Sequence, residues 1–461
     1  FQLIVDKEED LAGLPQNLIA SAAETAKEAG MEGKWIFTLH NPSVMPFLQY
    51  ADNRDLREKI FKGYINRGNN GNEYDNKEVV RKLLKARLEK AKMMGYENYA
   101  SFALEERMAK TPDAVYKLLD QIWTPTLSKA KEELADINAE IKKDGKTFTA
   151  EGWDWRYYAD RAKKAKFDLD ENQVRPYLKL ENVRDGVFYV ANKLYGITFT
   201  QLDNLPLPHP DAQAFECKDK DGSHLGVLYM DFFPRASKKG GAWCGSYRSQ
   251  TYKDGKKVAP VVTVVCNFTK PAARQPALLS ADEANTLFHE FGHALAGFLS
   301  RGPYPQVTGS FPRDMVELPS QLNEHWAWEP EVMKHYARDY ETGRPIPDAL
   351  IAKFKESENF LKGLYLTDFY ATALLDLEWH TVLRPVEGCD VAAFERAFLK
   401  RYDFPEHTAL RFRTTYYNHI FASSYPAQYY SYTWSAVLDT DAFAAFTGTG
   451  DIFDPETARR Y

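Results

Sequence analysis

Ser280-Ala281-Asp282-Glu283-Ala284-Asn285-Thr286-Leu287-Phe288-His289-Glu290-Phe291-Gly292-His293-Ala294-Leu295-Ala296-Gly297-Phe298-Leu299 is the stretch on which the reading of this chain turns. Its punctuation is helical at both ends. Ser280 followed three residues later by Glu283 is a capping box, and Gly302-Pro303 is a stop. Ala284, Leu287, Phe288, Phe291, Leu295 and Phe298 recur at helical spacing and give a broad apolar face. On such a helix His289 and His293 stand four apart, so their imidazoles leave one face about a turn apart. Two nitrogens at that spacing can hold one Zn²⁺ at about 2.0–2.1 Å each. Glu290, the next residue along, can reach the water such an ion activates. Two surface histidines on an ordinary helix are the bland alternative, and Gly292 argues against it. An interior helix Gly costs about 1 kcal/mol relative to Ala, which close approach of another element between the two ligands would justify.

Catalytic zinc takes three protein ligands and keeps one position open. Downstream, Asp314-Met315-Val316-Glu317-Leu318-Pro319-Ser320-Gln321 offers Glu317, 24 residues after His293. Spacing alone leaves Glu317 in competition with Glu324, Glu329 and Asp314. An Asp314/Glu317 capping box for the following helix is the structural alternative. A third cluster runs from Tyr416 to Trp434 and contains His419, Tyr425 and Tyr432. Phenol and imidazole donors can stabilise the oxyanion of a tetrahedral intermediate. Tyr425 and Tyr432 are seven apart, two helical turns, so they can line one wall; ordinary aromatic packing is the competing reading.

Outward from these motifs the chain reads as helical scaffold. Residues 76–94 place Val79, Val80, Leu83, Leu84, Leu88 and Ala91 on one stripe between charged residues. Thr111-Pro112 starts another helix, which Pro125 should break or kink before Leu127, Leu134, Ile137 and Ile141 resume the pattern. The middle changes character. Gly226–Phe233 and the β-branched run Val258–Phe268 read as strands, with a turn at Asp254-Gly255 between them. Gly240-Gly241-Ala242-Trp243, also between them, is thin enough for another backbone to approach. A long helical stretch follows from Pro347 to about His380. The chain has no internal repeat.

With 461 residues, 44% hydrophobic and 27% charged, the composition is that of a folded globular protein, not a disordered one. A net charge of −6 does not suit nucleic-acid phosphates, which want a basic face. No run of 18 apolar residues suits a membrane helix. The four cysteines (217, 244, 266 and 389) form no metal-binding or disulfide pattern and are expected to be reduced thiols.

His289–Leu295 together with Pro312–Gln321 resembles the thimet oligopeptidase family of zinc peptidases, and the bacterial peptidyl-dipeptidase (dipeptidyl carboxypeptidase) branch is the nearer match. Met94–Ala100, Met108–Pro112, Gly240–Trp243, Pro260–Lys270, Tyr336–Arg338 with Glu341–Gly343, and Ala373–Asp376 are similar as well, so the resemblance covers almost the whole chain. It implies that His289, His293 and Glu317 are zinc ligands and that Glu290 is the general base. It also implies that His419, Tyr425 and Tyr432 contact the substrate and transition state. Three departures stand out. Ala296 replaces a usual His, Thr308-Gly309-Ser310-Phe311 shortens the loop before Glu317, and Ser423-Ser424 replaces a Gly-Gly before Tyr425.

The fold implied is mainly α: a large helical ellipsoid with a deep substrate channel and a small β-sheet beside the zinc helix. Residues 1–461 would form one catalytic body lacking N- and C-terminal parts, with a helical lobe to about 200, the sheet over 201–270 and zinc-site helices over 271–461. The activity implied is hydrolysis of short peptides with one Zn²⁺ per chain, releasing C-terminal dipeptides. An endo-oligopeptidase and a catalytically inactive zinc- or peptide-binding homologue remain the alternatives. Gly241, Ala242 and Trp243 are expected to bind the peptide backbone along an edge strand. The expected partners are short peptides alone, with no nucleic acid and no membrane, acting on a monomer. The compartment, bacterial cytoplasm or periplasm, is left open.

Overall fold

The computed structural model describes residues 1–461 apart from 236, 272–274, 305–307, 309–310, 384–387 and 406–407. Gly309 and Ser310, in the shortened loop before Glu317, therefore lie outside the described residues. The described residues are mainly helical, as expected, with a five-stranded sheet and two two-stranded ribbons. They divide into two compact units. The first comprises Phe1–Asp168, Pro312–Met315 and Ser357–Trp434; the second comprises Leu169–Phe311, Val316–Glu356 and Ser435–Tyr461.

In the first unit the helix Lys77–Met93 buries Val80, Leu84, Leu88 and Ala91 at steps of three and four. Val79, expected on the same stripe, is 51% exposed, because it sits about 100° around the helix from Val80. Thr111 caps α1 (Pro112–Lys143) by accepting from the Ala114 N–H. Of the break or kink expected at Pro125, the break does not occur, and α1 runs through the proline. Pro125 forgoes one backbone hydrogen bond, and tertiary packing outweighs that loss. The helix Lys362–His380 lies so close that a Cβ on Gly363 would come within 2.7 Å of Lys129 Cγ and 2.8 Å of the Ala130 nitrogen. The buried Glu133 carboxylate then accepts from the Gly363 and Leu364 N–H groups at the start of that helix. The helical stretch expected from Pro347 to His380 is two helices, Asp348–Glu356 and Lys362–His380. Leu361, just before the second of these helices, has a φ of +58°.

The second unit holds the sheet: β1 (Thr198–Gln201), β2 (Gln213–Lys218), β3 (His224–Asp231), β4 (Trp243–Arg248) and β5 (Val261–Val265). Their order is β1-β2-β3-β5-β4, with β3 and β5 parallel and the other pairs antiparallel. The strand expected over Val258–Phe268 starts only at Val261. Pro260 cannot donate into a ladder; its carbonyl instead accepts from the Val227 N–H. Lys256–Val258 belongs to a separate hairpin with Thr251–Lys253. Its two turn residues, Asp254 and Gly255, both have positive φ, as a tight hairpin requires. Among the described residues β4 pairs with β5 alone and so forms an edge of the sheet.

The helix α2 (Ala281–Leu299) packs on this sheet; a Cβ on Gly226 of β3 would lie 2.7 Å from the Phe298 ring. Its capping box is present, with Ser280 and Glu283 each accepting from the other's backbone. All four cysteines are free thiols, as expected. No helix among the described residues is long and apolar enough to cross a membrane.

Candidate metal centre and active site

α2 presents its two histidines as the spacing predicts. The rings of His289 and His293 are 5.1 Å apart and nearly perpendicular. The third donor comes from the residue preceding α3 (Leu318–Ala327), which crosses α2. The crossing is close because position 292 has no side chain. A Cβ there would stand 2.4 Å from the Pro319 oxygen, 2.7 Å from Ser320 Cα and 2.9 Å from Asn323 Cβ. Asn323 reinforces the crossing by donating to the Phe288 carbonyl at 2.6 Å. Gly292 thus admits α3 close against α2, and Glu317, the residue before α3, reaches both histidines.

Glu317 Oε2 lies 3.3 Å from His289 Nε2 and 3.0 Å from His293 Nε2. A tetrahedral ion with bonds of 2.0–2.1 Å has donor–donor edges of about 3.3 Å. Two imidazole nitrogens and one carboxylate oxygen, all within 4.8 Å of one another, therefore suit a divalent metal with a position left open. Ser320 Oγ steadies the carboxylate, donating to Glu317 Oε2 at 3.0 Å. The capping alternative is not realised, since the Glu317 side chain caps no backbone N–H of α3.

The three rivals for the third position are engaged elsewhere. Asp314, fully buried, accepts from the Ala109 N–H and the Tyr430 hydroxyl within the first unit. Glu329 pairs with Lys355 at 3.0 Å. Glu324 Oε1 lies 2.6 Å from His289 Nδ1, the ring nitrogen that faces away from Glu317. Glu324 is in turn held by the Asn285 amide at 2.7 Å, and the Asn285 oxygen accepts from the Trp328 indole at 2.9 Å. A carboxylate on the second nitrogen of a ligating histidine fixes its tautomer and ring plane. The sequence held Glu324 only as a possible ligand; its role as an orienting partner depends on how α3 crosses α2.

Glu290 is 5% exposed, and its Oε2 has no hydrogen-bond partner among the described residues. Burial pushes its carboxyl above the usual range, although the neighbouring His289 and His293 pull it down. A raised carboxyl is a better proton acceptor than an ordinary one, as a general base requires. Burial, then the Glu290 charge, pushes up the thiols of Cys244 on β4 and Cys266 just beyond β5. Gly241 and Ala242 lead into β4, which begins at Trp243. A Cβ at Gly240 or Gly241 would meet nothing within 4 Å, so this backbone is open to approach.

His419, Tyr425 and Tyr432 form one aromatic group within the first unit. The Tyr425 and Tyr432 rings stack at 5.5 Å and 14°, and the His419 ring centroid is 6.0 and 6.2 Å from theirs. The two tyrosines were expected to meet as two turns of one helix. Tyr425 instead precedes a turn, and the helix starts only at Ser431. Buried Asp376 holds that turn, accepting from the Ala427 and Tyr429 N–H groups. Arg313 lies over the Tyr425 ring, 5.0 Å from its centroid.

Comparison with known proteins bears on this geometry. The sequence model of Peptidase family M3 matches residues 47–461. The dipeptidyl carboxypeptidase of Escherichia coli (strain K12) is 40% identical over 454 residues, covering 98% of this chain and 66% of that protein. Oligopeptidase A of the same organism is 35% identical over 466 residues, covering 99% of this chain and 68% of that protein. The chain thus spans about two thirds of the length of the curated relatives it matches. Among solved structures, a putative oligoendopeptidase F shares the fold, with a TM-score of 0.57 at 15% identity over 96% of this chain and 66% of that one.

Proposed function

The chain belongs to Peptidase family M3, and from that premise we propose that it is a zinc-dependent peptidase that cleaves short peptides and releases dipeptides from a free C-terminus. The observation that carries the reading is the Glu317 carboxylate between the Nε2 atoms of His289 and His293, with the buried Glu290 on the same helix. His289, His293 and Glu317 would hold the ion. Bound there, Zn²⁺ supplies Lewis acidity, which lowers the pKa of water and polarises a carbonyl. Glu290 takes the proton of the attacking water and delivers it to the leaving amine; its raised pKa suits both transfers. Glu324 keeps the His289 ring in place through Nδ1. The peptide backbone pairs with the free edge of β4 beside Gly241, Ala242 and Trp243, a mode that grips peptides without reading their side chains.

Tyr425, Tyr432 and His419 are assigned as oxyanion donors on the strength of the family resemblance, and their gathering into one aromatic group supports the assignment. Release of C-terminal dipeptides is favoured by the 40% identity to a dipeptidyl carboxypeptidase. The 35% identity to oligopeptidase A supports the second reading, cleavage inside short peptides.

One experiment separates these. A short peptide is offered as the free acid and as the C-terminal amide, with and without chelator, and products are identified by mass. Dipeptides released from the acid alone establish the first reading. The same internal cut in both establishes the second. No chelator-sensitive cleavage in zinc-loaded protein overturns both and leaves a non-catalytic homologue.

A further inference from the structure

The loop between β3 and β4 is tied down by two side chains that no motif singles out. Lys238 sends its ammonium, with only 6% of the side chain exposed, into a ring of oxygens at the ends of the two parallel strands. It donates to the Asp231 carboxylate at 3.1 Å, to the Phe233 carbonyl at 2.8 Å and to the Cys266 carbonyl. Arg235 grips the same carboxylate through two hydrogen bonds of 3.0 and 2.8 Å. Asn267, immediately after Cys266, donates from one amide nitrogen to the Lys239 carbonyl at 2.9 Å and to the Gly241 carbonyl at 2.6 Å. Gly241 has a φ of +85°, a conformation that without a tether would be one of many open to glycine.

These contacts have one consequence for β4. Trp243 pairs with Val265, so the strand begins two residues after the carbonyl that Asn267 holds. Alternate residues of an edge strand turn their N–H and C=O away from the neighbouring strand, and a one-residue slip in pairing exchanges the two sets. Fixing the Gly241 carbonyl therefore fixes which β4 backbone groups face outward. We propose that Asn267, seconded by Lys238, is a positioning residue for peptide substrate: it sets the register in which the β4 edge receives the peptide backbone, and so which peptide bond is presented for cleavage. This deepens the peptidase reading above and rests on it.

Asn267→Ala and Lys238→Met are compared with wild type on one free-acid peptide, following KM, kcat and the position of the cut. The expected result for Asn267→Ala is a KM raised about tenfold with kcat nearly kept, the signature of lost uniform binding. The cut is expected to scatter over neighbouring bonds, which a merely destabilised protein would not show. Affinity for zinc stays at the wild-type value. Asn267→Asp, which sets a carboxylate against two carbonyl oxygens, should be worse than Ala. An unchanged KM with a single cut position in the folded variants overturns the proposal. So does a parallel loss of kcat and zinc affinity, which would mark general damage. Calorimetric binding of the same peptide to zinc-free protein is read alongside. If the zinc-free wild type binds the peptide but the zinc-loaded wild type never cleaves it, the peptidase reading fails, and weaker binding in Asn267→Ala still decides for the tether.

Discussion

The Oε1 atom of Glu324 lies 2.6 Å from Nδ1 of His289, on the side of the ring opposite Glu317. The imidazole is therefore held from both nitrogens, and its orientation belongs to α3 as much as to α2. Removing such an outer partner costs about 10–100-fold in metal affinity. Glu324→Gln keeps the shape but loses the charge, and is expected to weaken zinc binding within that range while the fold is retained. Competition with a chromogenic chelator measures it; wild-type affinity in the variant would show that Glu324 does not orient the ligand.

Glu290 contributes no donor to the metal-binding triad, yet it is buried beside it. Glu290→Gln should leave zinc content at one ion per chain and abolish nearly all hydrolysis, because the amide cannot accept the water proton. General acid–base groups contribute about 10²–10⁴-fold. Metal analysis and peptide turnover on the same preparation test this, and hydrolysis at the wild-type rate would remove Glu290 from the mechanism.

Two glycines of α2 make opposite predictions. At Gly292 an added Cβ would be 2.4 Å from the Pro319 oxygen, whereas at Gly297 its nearest neighbour is Val262 Cγ2 at 3.4 Å. Gly292→Ala must push α3 away and should cost about 1–3 kcal/mol, together with zinc affinity, since Glu317 leads into α3. Gly297→Ala should be neutral or stabilising, by up to about 1 kcal/mol, because Ala is the better helix former. Urea midpoints of the two variants decide, and equal effects would contradict the packing described here.

What could be read from the sequence follows the range of the interactions involved. The α2 cap, its two histidines and Glu290 lie within one helix, where spacing alone determines geometry. Gly292 pointed to a close approach without saying by what. Features set by contacts between elements were misread or left open. Pro125 does not end α1, because the helix Lys362–His380 holds it on both sides, through Tyr116 bonded to Glu378 before the proline and Gly363 packed on Lys129 and Ala130 after it. Glu317 could not be separated from Glu324, since both are acids near one helix and only the crossing angle assigns one to Nε2 and the other to Nδ1. Tyr425 and Tyr432 do stack, but through a turn pinned by Asp376, fifty residues earlier. Asn267 lies within the family-like stretch Pro260–Lys270, but nothing in the sequence singles it or Lys238 out; their partners are mostly main-chain carbonyls, which a sequence does not display.

Tyr425 is enclosed by a stacked Tyr432 ring and the Arg313 guanidinium, contacts that depend on its ring and not its hydroxyl. Tyr425→Phe should therefore fold as wild type. If the hydroxyl is an oxyanion donor, kcat falls about 10²–10³-fold with little change in KM. A rise in KM alone would make Tyr425 a binding residue, and unchanged kinetics would return it to the aromatic core.

Proton and metal compete for His289. In the metal-free protein burial favours the neutral ring, but Glu317 and Glu324 override it and hold the imidazolium well above the usual histidine value of 6.5. Burial likewise opposes the charge on Glu317, yet His289 and His293 hold its carboxyl well below 4.5. The raised histidine lends stability that is complete below pH 6.5 and lost as pH rises through its folded value. The depressed carboxylate lends stability that is present above pH 4.5 and lost as pH falls through its folded value. The metal-free pair is thus best satisfied between those two values, while zinc requires the neutral imidazole. Zinc affinity is accordingly expected to fall about tenfold per pH unit for each proton displaced, as pH falls below the raised value of His289. Calorimetry in buffers of different ionisation enthalpy should count at least one proton released per ion. Glu324→Gln removes one of the groups that raise His289, so it should release fewer protons even as it binds zinc more weakly. Affinity independent of pH would mean that His289 is already neutral before the metal arrives.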